Sequence, residues 1–202
     1  MLKNFKRFSM STFCLFFIVS CASVPELNTH YRIPVPGGEL KGKKIVLVVE
    51  DRRKSSELLG SGAQGEFERF TGKITFSIAR PGESGFRLGP YDAAGMIREA
   101  FKRRLESEGV VLGDDKDKGG KRLVISLEEL SLDLQSRMWR GKMSYEAKIT
   151  DDGRVSSRES ISGQAERTRL VGRQGADEVM GEMVTDLINR LDLRRLFREA
   201  GV

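Results

Sequence analysis

The chain has 202 residues, of which 39% are hydrophobic and 32% charged, a globular balance that sets aside collagenous and disordered classes. Two cysteines and one histidine exclude a disulfide-stapled scaffold, a four-cysteine zinc site and any two-histidine mechanism. A formal charge of +6 raises the question of nucleic acid, and the position of that charge answers it.

Residues 1–20 differ from the rest. Lys3, Lys6 and Arg7 make a basic start with no acid, and an apolar run from Phe8 to Val19 follows. That run has the length of a signal-peptide core and falls short of the roughly 20 residues a spanning helix needs. It ends in Ile18-Val19-Ser20-Cys21, which resembles the bacterial lipobox. The resemblance implies cleavage between Ser20 and Cys21 and acylation of Cys21, by palmitate among other chains. An ordinary secretory signal with a chance cysteine is the competing reading. Removing Lys3, Lys6 and Arg7 from the 35 basic residues leaves 32 against 29 acidic ones, a charge of only +3. Nucleic acid is therefore not an expected partner, since its binding needs a concentrated basic patch. Ala22 and Ser23 follow the cysteine. The aspartate that resembles an inner-membrane retention signal is missing there, which implies the inner leaflet of the outer membrane, facing the periplasm.

Residues 21–42 hold Pro25, Pro34 and Pro36, then Gly37-Gly38 and Gly42. Proline opposes both helix and internal strand, so the expectation is an extended tether with a reach on the order of 65 Å. The lone His30 falls inside it and reads as a solvated loop residue. One domain is expected over 43–202.

In that domain Ile45 to Val49 is a continuous aliphatic run, the pattern of a strand buried on both faces. Ile74, Phe76 and Ile78 alternate with polar residues and predict a second strand. Asp92 then opens a helix whose stripe is Ala94, Ile97, Phe101 and Leu105, with Gly109 as its stop. Arg98, Lys102, Arg103 and Arg104 are expected mostly off that stripe. Leu123 to Leu134 predicts a long strand whose apolar parity changes between Leu127 and Leu130, the mark of a bulge. Met143 to Ile149 and Val155 to Arg167 predict two more strands, joined by the Asp152-Gly153 turn. Ala176 to Leu191 carries apolar residues at helical spacing, with Asp177 and Glu178 in the first turn. The expected fold is α+β: a two-layer sandwich with a mostly antiparallel sheet, two helices on one face, and the order β-β-α-β-β-β-α.

Chemical motifs are few. Gly60-Ser61-Gly62-Ala63-Gln64-Gly65 fits G-x-G-x-x-G literally, but a dinucleotide site needs it directly between a strand and a helix. Here the preceding strand ends about ten residues earlier, so a glycine loop is expected. Asp114, Asp115 and Asp117 precede Gly119-Gly120, yet a calcium loop starting at Asp115 would need a carboxylate where Ser126 stands. No metal and no cofactor are expected, and no catalytic residue stands out. The segment Arg137-Met138-Trp139-Arg140 carries the only tryptophan at a hairpin tip. Trp and Arg are enriched in interaction hot spots, so Trp139, Arg137 and Arg140 are candidate partner contacts. Trp139 folded into the core is the alternative.

The chain resembles the YajG-type family of uncharacterised bacterial lipoproteins. The likeness is carried by Cys21, by Ile45-Val46-Leu47-Val48-Val49 with Asp51 and Arg52 after it, and by Leu105-Glu106-Ser107-Glu108-Gly109. Leu123-Val124-Ile125-Ser126-Leu127 and Asp186 in the terminal helix add to it. It spans roughly 45–200, with 54–72 harder to place on the pattern. The family implies no established activity. The functional expectation is a lipid-anchored, non-enzymatic binding module for an envelope protein or glycolipid. The alternatives are an auxiliary subunit of a transport or assembly machine and, from a different class, a carboxylate-based peptidoglycan or lipid hydrolase.

Overall fold

The computed structural model describes residues 26–114 and 120–202. The signal segment, Ser20, Cys21 and the aspartates at 115 and 117 lie outside the described residues.

Two sheets form. Strands β1 (Leu27–Arg32), β3 (Ile74–Ala79) and β4 (Phe86–Tyr91) make a small one in the order β1-β3-β4. Strands β2 (Lys44–Asp51), β5 (Val111–Leu112), β6 (Arg122–Gln135), β7 (Met138–Asp151) and β8 (Arg154–Thr168) make a larger one in the order β5-β2-β6-β7-β8. The helices are α1 (Ser61–Gln64), α2 (Ala93–Ser107), α3 (Ala176–Arg190) and α4 (Leu193–Glu199). The class is α+β as expected, and both sheets are mixed. In the large one β2 runs parallel to β5 and to β6, while β6, β7 and β8 form an antiparallel meander.

Local chemistry explains the boundaries. Asp92 caps α2, its carboxylate accepting from the Gly95 amide at 2.8 Å, and Gly109 ends the helix with φ at +79°. The β6–β7 register shifts between Leu127 and Glu129, the bulge that the parity change implied. That shift keeps Leu127 and Leu130 both buried. The segment after Val155 pairs with β7 through the Asp152-Gly153 turn, where both residues take positive φ.

Alternate residues of β7, among them Met143, Tyr145, Ala147 and Ile149, point into the core. Helices α2 and α3 cover this one face. Phe101 of α2 meets Tyr145 edge to face at 5.4 Å, and the Tyr145 hydroxyl donates to the Leu187 carbonyl of α3 at 2.8 Å. Burial pushes the Tyr145 phenol up from its ordinary value. Arg104 departs from expectation. Its spacing from Ile97 and Phe101 places it on the buried stripe, and it is only 7% exposed. It reaches the end of α3 and donates to the carbonyls of Ile188 and Leu191, which the helix itself leaves unpaired. Burial lowers the guanidinium from its usual value, against the pull of nearby Tyr31, Tyr145 and Glu108.

The tether expectation fails over Leu27–Arg32. Between Pro25 and Pro34 lie eight residues without proline, and six of them, Leu27–Arg32, form β1, with Leu27 and Tyr31 buried and Ile33 buried just after the strand. The prolines bracket a strand; they do not extend through it. His30 is accordingly a strand residue. After α3, the arginine-rich Leu193–Glu199 forms α4, burying Leu193, Leu196 and Phe197. The glycine motif is held too. A Cβ on Gly62 would lie 1.9 Å from the Leu134 carbonyl oxygen, and one on Gly60 would strike the Asp133 carboxylate. Those two glycines let α1 lie directly on β6, where the Gly62 amide donates to Asp133 at 3.0 Å.

Candidate functional site

A groove of about 1020 Å³ lies between β1 and α3. It exists because of how α3 meets the edge of the small sheet. Asp177, Gly181, Thr185 and Asn189 recur every four residues and so form one ridge, rising about 6 Å per step. Alternate residues of β1 recur every 6.6 Å or so. The two repeats nearly match, and the ridge engages Asn28, His30 and Arg32 in turn.

The contacts are specific. The Asn28 amide donates to Asp177 Oδ1 at 2.9 Å, and the Asn28 side chain to Oδ2 at 3.0 Å. Gly181 passes closest, since a Cβ there would sit 3.0 Å from the His30 carbonyl oxygen. Thr185 Oγ1 accepts from the Arg32 amide at 3.1 Å and donates to the His30 carbonyl at 3.3 Å. Asn189 donates to the Arg32 carbonyl at 3.0 Å and accepts the buried Tyr31 hydroxyl at 2.8 Å. Burial pushes the Tyr31 phenol up, so it remains a donor.

His30 lines the groove, and its Nδ1 lies 2.6 Å from Ser77 Oγ, which does not line it. The pair invites a nucleophile reading, but Ser77 is 6% exposed and its hydroxyl also points at the Thr29 carbonyl. It ties neighbouring strands together. Four carboxylates line the groove. Asp177 is engaged by Asn28, Glu182 by Arg167, and Asp186 by Arg190; among the described residues Glu178 alone has no partner. A two-carboxylate hydrolase needs a free pair. Among the described residues no group of three metal-ligating side chains converges.

The three residues proposed as a contact do not converge. Trp139 is fully buried, its ring edge to face with Phe67 at 6.0 Å and backed by Gly175, so direct partner contact by Trp139 is overturned. Its indole N–H finds no acceptor among the described residues, and the ring serves as core. The strand alternation that buries Trp139 turns Arg140 to the opposite face, where it pairs with Glu166 at 3.0 Å. Arg137 stays exposed at the hairpin tip.

The α3 ridge escaped the sequence reading because its members are of four different types. Only the four-residue spacing joins them, and that spacing has meaning only once β1 is recognised as a strand.

Fold and groove together define an α+β domain whose small sheet is sealed along one edge by a helix. No family model and no curated protein matches the chain. Among solved structures, a DUF330 family protein from Xanthomonas campestris is similar at 15% identity over 86% of this chain and 96% of its own, with a TM-score of 0.48. A candidate lipoprotein from Caulobacter crescentus shares 10% over 52% of this chain and 78% of its own, with a TM-score of 0.34. A lipoprotein of Neisseria meningitidis shares 14% over 73% and 96% respectively, with a TM-score of 0.29. These are partial overlaps of outline at low identity. No helix among the described residues is long and apolar enough to cross a membrane.

Proposed function

We propose that this chain is a bacterial envelope lipoprotein, cleaved after Ser20 and acylated on Cys21, whose domain is a non-enzymatic binding module for an envelope protein or glycolipid. The observation that carries the proposal is the lipobox run at Cys21 followed closely by a docked strand. Acylation contributes about 0.8 kcal/mol per buried methylene, and two or more chains give stable anchoring. Because β1 starts at Leu27, six residues after Cys21, the free span is at most about 20 Å. The domain rides at the bilayer surface, where a long tether would have let it stand away.

The groove supports binding over hydrolysis. No serine lines it, and three of its four carboxylates are already engaged by a donor on a neighbouring element or helical turn. What it presents is a cleft between a strand and a helix, lined mostly by polar and charged residues. The inner leaflet of the outer membrane is part of the same proposal.

Metabolic labelling tests the anchor: wild type takes up radiolabelled palmitate and Cys21→Ala takes up none. Labelling that persists in Cys21→Ala ends the lipoprotein reading. Photo-crosslinkers at Glu178 and Glu182, on the groove rim, should capture one discrete envelope adduct in cells. Crosslinks that form equally from Ser156, on the far hairpin, would remove the groove as the binding site.

A further inference from the structure

Leu170 and Val171 are adjacent and 75% and 73% exposed. They sit in the connection between β8 and α3, which is held in place, so the exposure is presented by the fold. The Arg169 amide donates to the Arg137 carbonyl at 2.8 Å, and the Arg169 side chain pairs with Glu66 at 2.9 Å. The Gln174 amide closes a turn onto the Val171 carbonyl at 3.1 Å, and the Arg173 guanidinium lies over the Phe67 ring at 5.4 Å. Around the apolar pair stand Arg167, Arg169, Arg173 and the exposed Arg137. From 167 to 176 the chain carries no acid.

The location of this tip in the fold identifies its occupant. The Asn28 contact to Asp177 sets the start of β1 beside the start of α3, and Gly175 backs Trp139 next to the β6–β7 tip. The 169–173 connection therefore lies at the end of the domain where β1 begins. That end is within about 20 Å of chain from Cys21. An apolar tip ringed by arginines has the chemistry of a bilayer interface, the side chains entering the acyl boundary and the guanidinium groups meeting phosphate.

We infer that Leu170 and Val171, with Arg137 and Arg173, form a second membrane contact that docks the domain onto a bilayer bearing anionic headgroups. The inference rests on acylation of Cys21. The anchor supplies proximity, and the tip fixes orientation, directing the β1–α3 groove sideways along the membrane plane.

The test uses the acylated protein carrying Val171→Cys, labelled with an environment-sensitive dye and placed in vesicles containing membrane-embedded quencher lipids. Cys14 leaves with the signal segment and Cys21 is blocked by acylation, so the new thiol is labelled alone. In vesicles with about 30% phosphatidylglycerol the dye at 171 should lose at least about half its emission. The same dye at Ser156→Cys, on the far hairpin, should keep its emission. Arg137→Glu, at an exposed side chain, should return the signal at 171 toward its value in phosphatidylcholine alone. Protein that floats with the vesicles while position 171 stays as bright as 156 overturns the contact and leaves the anchor standing. Equal quenching in phosphatidylcholine overturns the role of the arginines. Failure to float with any vesicle overturns the acyl anchor, and the proposal with it.

Discussion

Two of the sheet edges, β1 and β8, face the same hazard and meet it differently. An edge strand shows a row of unpaired amides and carbonyls that any other strand can pair with. On β1 the row is covered: Asp177, Thr185 and Asn189 of α3 occupy its hydrogen-bonding positions, and Gly181 lets the helix come close enough to do so. On β8 the helices lie on the face, and the edge pairs with no other strand along its 15 residues, although Arg190 of α3 donates to the Ser162 carbonyl at 3.3 Å. That strand instead carries Arg154, Arg158, Glu159, Glu166 and Arg167, charges that make pairing with an apolar strand costly. Covering an edge ties it to one helix and makes it fragile to a change in that helix. Charging an edge leaves stability almost independent of any one residue.

The sharpest break in the contrast is Gly181→Leu. With the first added carbon already 3.0 Å from a backbone oxygen, the rest of the side chain has no room, and β1 must leave the ridge. We expect a loss of about 3 kcal/mol, read as a lower urea midpoint. Faster hydrogen exchange at the amides of Asn28 and Arg32 should accompany it. An unchanged midpoint would mean that the ridge does not seal β1. Asn189→Ala comes next. It removes the acceptor of the buried Tyr31 hydroxyl and the donor to Arg32 together, at a cost of about 2 kcal/mol. Tyr31→Phe in the same background should recover part of that loss, because the orphaned hydroxyl is gone; no recovery would place the cost elsewhere.

The large sheet was legible from sequence because its periodicity is self-contained. Leu123 to Leu134 and Met143 to Ile149 alternate regularly, and even the bulge announced itself as a change of parity. The small sheet was not legible. Leu27, Thr29 and Tyr31 do alternate with Asn28, His30 and Arg32, but the strand lies among prolines, and its partner β3 is more than forty residues away in sequence. Its polar positions make sense only against Asp177, Thr185 and Asn189, contacts that no local pattern encodes. Arg104 was misplaced for a related reason: its buried partners are backbone carbonyls, which carry no sequence signal. Trp139 was ambiguous because a hairpin tip and the last buried rung of a strand differ by a single residue of register. The Cys21 motif is local in sequence, so the proposed anchor rests on the sequence pattern alone.

The smallest effect on stability is expected at the open edge, and it separates the two strategies most cleanly. Ser160 and Ser162 are exposed on β8 and point to the outer face, where Ser160 stands opposite Glu146 and Ser162 opposite Ser144. Replacing both with Val raises strand propensity and lengthens the apolar stretch around Ile161 without touching the core. Monomer stability should then stay within about 0.5 kcal/mol of the parent. Self-association should rise nonetheless, because the free edge becomes a better template once its polar interruptions are gone. Arg32→Val on β1 is the matched control, an exposed strand residue whose backbone amide and carbonyl are already taken by Thr185 and Asn189. Sedimentation velocity across a concentration series should show larger species for Ser160→Val/Ser162→Val and none beyond the parent's for Arg32→Val. Association of the Arg32→Val protein to the same degree would show that helix cover protects β1 no better than polar side chains protect β8.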